Sequence, residues 1–129
     1  MPETYAVIIG SGFEQFARGE AESLSETNFG LPSAAIKRGQ IEGCAVLSIE
    51  RHGEPHTIPP HAINYRANLV ALKEAGASAV IALNTVGVVS DVRDSGAIAV
   101  PDQILDYTWG RQHTIYDGGE NGIDLVDLI

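Results

Sequence analysis

Arg51-His52-Gly53-Glu54-Pro55-His56-Thr57-Ile58-Pro59-Pro60-His61-Ala62-Ile63-Asn64-Tyr65-Arg66-Ala67-Asn68 is the stretch from which the fold of this chain can be read. It holds three of the chain's four histidines, flanked by Arg51 and Arg66. An apolar run, residues 45–49, leads into it. A helical pattern leads out, because Ala62, Tyr65, Leu69 and Leu72 follow the three-then-four spacing of one helix face. A cluster of cations and imidazoles between a strand and a helix is unusual in a chain of formal net charge −9. It predicts a local site for a small anion.

On the C-terminal side, Pro59-Pro60 forces an extended entry and can open a helix. A helix is predicted over residues 61–75, with Lys73 in its last turn and Gly76 as its cap. Asn64 and Asn68 are four apart and share one face, where a structural or exposed role is expected. On the N-terminal side, residues 34–38 and Cys44–Glu50 predict an antiparallel hairpin joined through residues 39–43. Cys44, at the start of an apolar strand, is expected to be inert core.

Farther out, Tyr5–Ile9 lacks alternation and reads as a strand buried on both faces, as in a parallel sheet. It stops at Gly10-Ser11-Gly12. That triplet reads either as a plain strand–loop turn or as a loop that aims backbone N–H groups at a ligand. A dinucleotide fingerprint would need a third glycine at position 15, where Gln15 stands. Residues 13–26 are polar and weakly patterned, and Asn28-Phe29-Gly30-Leu31-Pro32-Ser33 is loop chemistry. Ala79–Leu83 is another run of buried-strand length, ending at Asn84-Thr85-Val86-Gly87. Residues 88–94 read as a loop, 96–100 as a further short strand stopped by Pro101, and 110–122 as a turn-rich polar loop. The last residues, 123–129, end on Asp-Leu-Ile without a cap, as though the chain were cut there. Gly10-Ser11-Gly12, Arg51-His52 and Asn84-Thr85 each follow a predicted strand, and ligands of open α/β sheets bind outside such ends. Together they predict an α/β fold with an oxyanion site at its strand ends.

The chain's 129 residues suit one domain, and 44% apolar with 19% charged residues reads as globular. No apolar run approaches the ~20 residues of a membrane span. The start, Met-Pro-Glu-Thr-Tyr, lacks the basic opening of a signal peptide. A single cysteine excludes an intrachain disulfide, and a reducing cytoplasm is the simplest home. The negative charge argues against nucleic acid and other polyanionic partners. His52, His56 and His61 hint at a metal, but the adjacent Arg51 disfavours a dication, and none is expected.

The block Arg-His-Gly-x-x-His-x-x-x-Pro-x-x-x-Asn-Tyr-x-Ala-Asn, from Arg51 to Asn68, closely resembles the 5′-methylthioadenosine phosphorylase family. That family belongs to the trimeric purine nucleoside phosphorylases and includes methylthioinosine phosphorylases. Leu72-Lys73-x-x-Gly76 continues the likeness. Gly10-Ser11-Gly12 is similar to the family's first phosphate loop, Asn28-Phe29-Gly30-x-Pro32-Ser33 to its Tyr/Phe-Gly-x-Pro-Ser loop, and Tyr116-Asp117-Gly118 to its Phe-Tyr-Asp-Gly. Pro101-x-Gln103, Asp106-Tyr107-Thr108 and Gly110-Arg111 resemble the bacterial methylthioinosine type. The resemblance runs through the whole chain but over only about the first half of the family's usual length. One departure is Val88, where the family usually has glycine or serine.

The resemblance implies a nucleoside-phosphorylase-like mixed sheet flanked by helices, incomplete at the C-terminus, with residues 1–129 as the N-terminal part of a single domain. It implies a homotrimer and phosphorolysis of a 5′-methylthio purine ribonucleoside in purine salvage, with inorganic phosphate as co-substrate and no cofactor. Ser11, Arg51, His52, Asn84 and Thr85 match the family's phosphate contacts, and His56 a histidine near the ribose and 5′ side. No residue of this half matches a catalytic acid or base for the purine. The chemistry of these side chains agrees. Arg51 offers a permanent planar cation, and His52 is expected to donate to phosphate in either tautomer. The readings left open are an enzyme, a non-catalytic truncated paralogue that keeps only the phosphate half-site, and a generic α/β anion-binding module. Half of such a sheet should expose apolar surface, so the isolated chain is expected to be poorly soluble.

Overall fold

A computed structural model describes residues 3–17, 19–89, 94–112 and 114–116. Its strands are β1 (Tyr5–Ile9), β2 (Glu20–Ala21), β3 (Lys37–Ile41), β4 (Cys44–Glu50) and β5 (Ala79–Leu83); its α-helix is α1 (Tyr65–Glu74). They form a mixed sheet in the order β2-β3-β4-β1-β5. β1 lies in the middle of the parallel part, with Ile9 level with Glu50 of β4 and with Leu83 of β5. The three parallel strands therefore end at one edge, where the site residues follow. The predicted α/β mixed sheet is the fold observed.

The core is one-sided. Ala6 and Ile8 of β1, level with Leu47 and Ile49 of β4, face Ala71 and Leu72 of α1 and Ala75 just after it. Leu47, Ile49 and Leu72 are almost fully buried. Each is worth roughly 1.5–3 kcal/mol of transfer free energy. β5 forms where its sequence predicts, but it is not the buried strand expected. Val80 is 43% and Ile81 51% exposed, because β5 is the last strand of the sheet.

The hairpin has a shifted first arm. Ile41 pairs with Cys44, so the turn is only Glu42-Gly43, with φ of 49° and 84°. Positive φ at both positions is what a two-residue type I′ connection needs. Residues 39–41, expected in the turn, are strand. Ala34 and Ile36 are core residues ahead of it, where Glu22 N–H donates to the Ile36 carbonyl. Cys44 consequently sits at the hairpin tip and is exposed, not core.

The helix also starts later than its pattern suggests. Pro60–Ala62 makes a separate 3-10 turn and Ile63 is extended. The Asn64 side chain then accepts from the Ala67 N–H at 3.1 Å and caps α1. Gly76, at φ 95°, closes the helix as expected, with the Ala77 N–H returning to the Leu72 carbonyl. Asn64 and Asn68 are structural. Asn68 is buried and brackets Ser33, accepting from its N–H at 2.7 Å and donating to its hydroxyl at 3.0 Å. Asn64 donates to the Phe29 carbonyl at 2.7 Å, so the loop 28–33 is held on α1.

Residues 96–100 are not a strand. Ile98 and Val100 are 95% and 91% exposed and pair with no described strand. Apolar character alone predicted a strand there, and no described neighbour supplies a ladder. The polar loop 110–122 and the segment 123–129 fall largely outside the described residues, as do Asp117 and Gly118.

Two outcomes follow from this packing. Lys37 bonds both Glu50 (3.0 Å) and Glu54 (2.8 Å), clamping the turn after β4 onto β3. The hydrogen bond to Glu54, then that to Glu50, hold its ammonium pKa above the usual lysine value, against the opposing effect of burial. A raised folded pKa means that this stabilisation is complete below the unfolded value and is lost as pH rises through the folded one. Lys37→Met should lower stability by about 1–2 kcal/mol at neutral pH, and the gap between wild type and variant should narrow above about pH 10.5. Thermal melts at pH 7 to 11.5 check this. The exposed β5 predicts self-association of the isolated chain. Ile81→Lys should raise the monomer fraction in sedimentation velocity, and a wild-type chain already monomeric at high concentration contradicts the expectation.

Candidate functional site

Because β1, β4 and β5 are parallel and level, the residues that follow them are neighbours. Gly10-Ser11, Arg51-His52 and Asn84-Thr85 meet at one end of the sheet, as their sequence positions predict. Arg51 joins them. Its backbone N–H donates to the Ile9 carbonyl at 3.1 Å. Its Nη1 donates to the Leu83 carbonyl at 3.2 Å and to Asn84 Oδ1, and its Nε donates to His52 Nε2 at 3.3 Å.

Gly10 is needed for this. A Cβ there would lie 2.4 Å from Arg51 Nη2 and 2.6 Å from the Leu83 carbonyl oxygen. Its place is close packing beneath the guanidinium, a role that neither sequence reading of the triplet contained.

The remaining members connect in turn. Thr85 Oγ1 donates to the Ser11 carbonyl at 2.7 Å. Ser11 Oγ lies 3.2 Å from His56 Nε2, and the His52 and His56 rings are 4.6 Å apart between centroids. Ser11, Arg51, His52, His56, Asn84 and Thr85 thus form one linked cluster. Arg51 and His52 are half-buried, while Ser11, His56, Asn84 and Thr85 are exposed. His61 lies apart, on the 3-10 turn before α1, beside an open concavity of about 270 Å³ shared with Tyr65, Arg66 and Arg111. Among the described residues, no group of three or more His, Cys, Asp or Glu is arranged to hold a metal.

The turn after β4 is tightly specified. His52 O accepts from the N–H groups of Thr57 (3.0 Å) and Ile58 (2.8 Å). Gly53 has φ 81°, and a side chain there would press on Ile58 and the Ser33 carbonyl. This winding brings the Ile58 carbonyl to 2.8 Å from His52 Nδ1. A carbonyl only accepts, so Nδ1 carries the proton. The expectation that His52 can donate to a ligand in either tautomer is therefore corrected. In the neutral ring Nδ1–H is committed to Ile58, and Nε2 is an acceptor, already taken by Arg51. Around the first loop, the Gly12 N–H is taken by Glu14 Oε1 at 3.1 Å and the Phe13 N–H by the Gly10 carbonyl at 3.3 Å. The N–H groups of Glu14 itself and of Gly12 hold the Glu14 carboxyl below the usual carboxylate range. Those two loop amides are not idle donors awaiting a ligand. Val88, the position of departure, is 54% exposed.

Residues 4–128 match the model of the Phosphorylase superfamily. The chain is 43% identical over 125 residues to a probable S-methyl-5′-thioinosine phosphorylase of Xanthomonas campestris, covering 95% of this chain and 50% of that protein. It is 42% identical over 112 residues to the S-methyl-5′-thioadenosine phosphorylase of Pyrococcus horikoshii, covering 87% and 44%. Among solved structures, methylthioadenosine phosphorylase from Schistosoma mansoni in complex with tubercidin aligns with a TM-score of 0.83 at 32% identity, over 96% of this chain and 44% of that one. The chain spans about half the length of the curated relatives it matches. With a family match over nearly its whole length, this chain belongs to the phosphorylase superfamily.

Proposed function

We propose that residues 1–129 are the N-terminal part of a single nucleoside phosphorylase domain, and that the strand-end cluster holds inorganic phosphate for phosphorolysis of a 5′-methylthio purine ribonucleoside. The products are the free purine, from methylthioinosine or methylthioadenosine, and 5-methylthioribose 1-phosphate. The observation that carries this reading is the cluster itself. One permanent cation, two imidazoles and three neutral polar side chains converge where three parallel strands end. The relatives' names favour the 5′-methylthio class of substrate.

In this reaction a phosphate oxygen bonds to C1′ while the C1′–N bond to the purine breaks. The electron pair leaves with the purine, which takes up a proton. C1′ passes through an oxocarbenium-like state, and the adjacent phosphate charge stabilises it. Arg51 supplies charge-assisted contacts to phosphate, with His52 bonded beside it, Ser11, Asn84 and Thr85 supply polar ones, and His56 lies toward the sugar. The contribution of these groups is positioning, which can account for much of the rate. Protonation of the departing purine falls to residues outside this half. The proposed setting is a cytoplasmic homotrimer, as for the family, with phosphate as co-substrate and no cofactor.

A second reading is a non-catalytic truncated paralogue or fragment that retains only the phosphate half-site. The exposure of four of the six cluster residues, and Val88 in the second loop, favour it.

Phosphorolysis of 5′-methylthioinosine and 5′-methylthioadenosine, with and without phosphate, separates the two. The assay is run on this chain and on a longer form completed by the second half of a close relative. Phosphate-dependent purine release from the completed form is expected; release from neither form establishes the non-catalytic reading. In the active form, Arg51→Ala should weaken phosphate binding about 10- to 100-fold, as for loss of charge-assisted hydrogen bonds, and nucleoside binding far less. Gly10→Ala should act in the same direction, because its Cβ displaces the guanidinium. Equal losses for phosphate and nucleoside would defeat the assignment.

A further inference from the structure

The same contacts that build the cluster restrict the protonation state in which it can hold an anion. His52 Nδ1 donates to the Ile58 carbonyl at 2.8 Å, and its Nε2 accepts from Arg51 Nε at 3.3 Å. A neutral His52 therefore has no proton on Nε2 to offer an anion bound beside Arg51. A fully ionised oxyanion such as sulfate brings only oxygen lone pairs there. Two acceptors facing each other repel, and Arg51 Nε–H satisfies only one of them.

We propose that this site takes up one proton with each tetrahedral oxyanion it binds that carries no proton of its own, and that His52 Nε2 carries it. The inference rests on reading the cluster as an anion site. The proton comes from solvent, and no covalent bond is made or broken. Once protonated, Nε2–H and Arg51 Nε–H become two donors side by side. Without an anion they are like charges in contact; with one, both can turn onto its oxygens. Proton and oxyanion thus favour each other's binding, and the linkage is reciprocal. Phosphate can satisfy the same requirement through its own P–OH, which its monoanion and dianion both carry and which donates to the Nε2 lone pair of a neutral ring.

Arg51 bonds the His52 ring, and the His56 ring lies 4.6 Å from it between centroids. Glu14, which follows the loop after β1, is held by the Gly12 N–H. Asn84, from the end of β5, accepts from Arg51. Glu50 and Glu54 of the same turn are both bonded to Lys37. Ser11 contacts His56.

Sulfate is the discriminating probe, because it has no proton of its own to lose or gain near neutral pH. Its affinity for the completed longer form is measured by calorimetry from pH 9 to 5.5, together with nitrogen-15 NMR of the histidine rings. Affinity should rise as pH falls, by at most about tenfold per pH unit, the limit for uptake of one proton. The His52 ring should change from the Nδ1–H tautomer to the doubly protonated form on adding sulfate. His52→Asn, which keeps a donor for Ile58, should flatten the pH dependence, whereas His56→Asn should retain it. Sulfate binding that is indifferent to pH, or a slope lost in His56→Asn and kept in His52→Asn, overturns the proposal while leaving the anion site standing. Failure to bind either sulfate or phosphate at every pH overturns the anion site and the proposal with it. The NMR readout needs no substitution, so a variant that fails to fold does not remove the test.

Discussion

The position of the Arg51 guanidinium is the constraint on which the rest depends. It reaches from the end of β4 to that of β5, bonding the Leu83 carbonyl and Asn84, and it passes against Gly10, the residue after β1, which has no side chain. A permanent cation in such a place must be satisfied by fixed acceptors or by a ligand. Two acceptors come from β5 and one from His52. This ties three strand ends together and leaves the guanidinium only partly used by the protein. In the proposed function, a small oxyanion completes that set.

The scaffold around Arg51 is rigid on one side and open on the other. α1 covers one face of β1 and β4, where the buried Leu47, Ile49 and Leu72 are found. The polar side of the turn is fixed by Lys37, which holds Glu50 and Glu54, and by the backbone bonds that wind residues 52–58 back on themselves. The loop 28–33 is fastened to the helix by Asn64 and Asn68. β5, by contrast, exposes Val80 and Ile81, and the described residues after it expose Ile98, Val100, Tyr107 and Trp109. So much uncovered apolar surface is unusual for a self-sufficient domain. It fits a chain that spans about half of its curated relatives.

The histidines show how backbone winding sets side-chain chemistry. Three occur within ten residues, a pattern compatible with a metal, an anion or neither. The fold separates them. His52 and His56 stack beside Arg51, while His61 goes to the far side of the turn at the start of α1. What distinguishes His52 from His56 is its partner: a carbonyl six residues on for one, a serine hydroxyl from another strand end for the other.

The sequence by itself determined the strands β1, β4 and β5, the helix pattern and the site's location, because those depend on local apolar periodicity and on which residues follow a strand. Arg51, His52, Ser11, Asn84 and Thr85 were legible as one group because parallel strands of similar length end together. The residues 51–68 also made the family legible. Tertiary structure decided what periodicity cannot encode. Residues 39–41 became strand and Cys44 the exposed tip because positive φ was taken up at Glu42-Gly43 alone. The helix began at Tyr65 because the Asn64 side chain captured the Ala67 N–H. Residues 96–100 stayed outside the sheet because a strand needs a partner, which no pattern within the segment supplies. The tautomer of His52 and the closeness of Gly10 to Arg51 rest on contacts between side chain and distant backbone, and those exist only once the chain has folded.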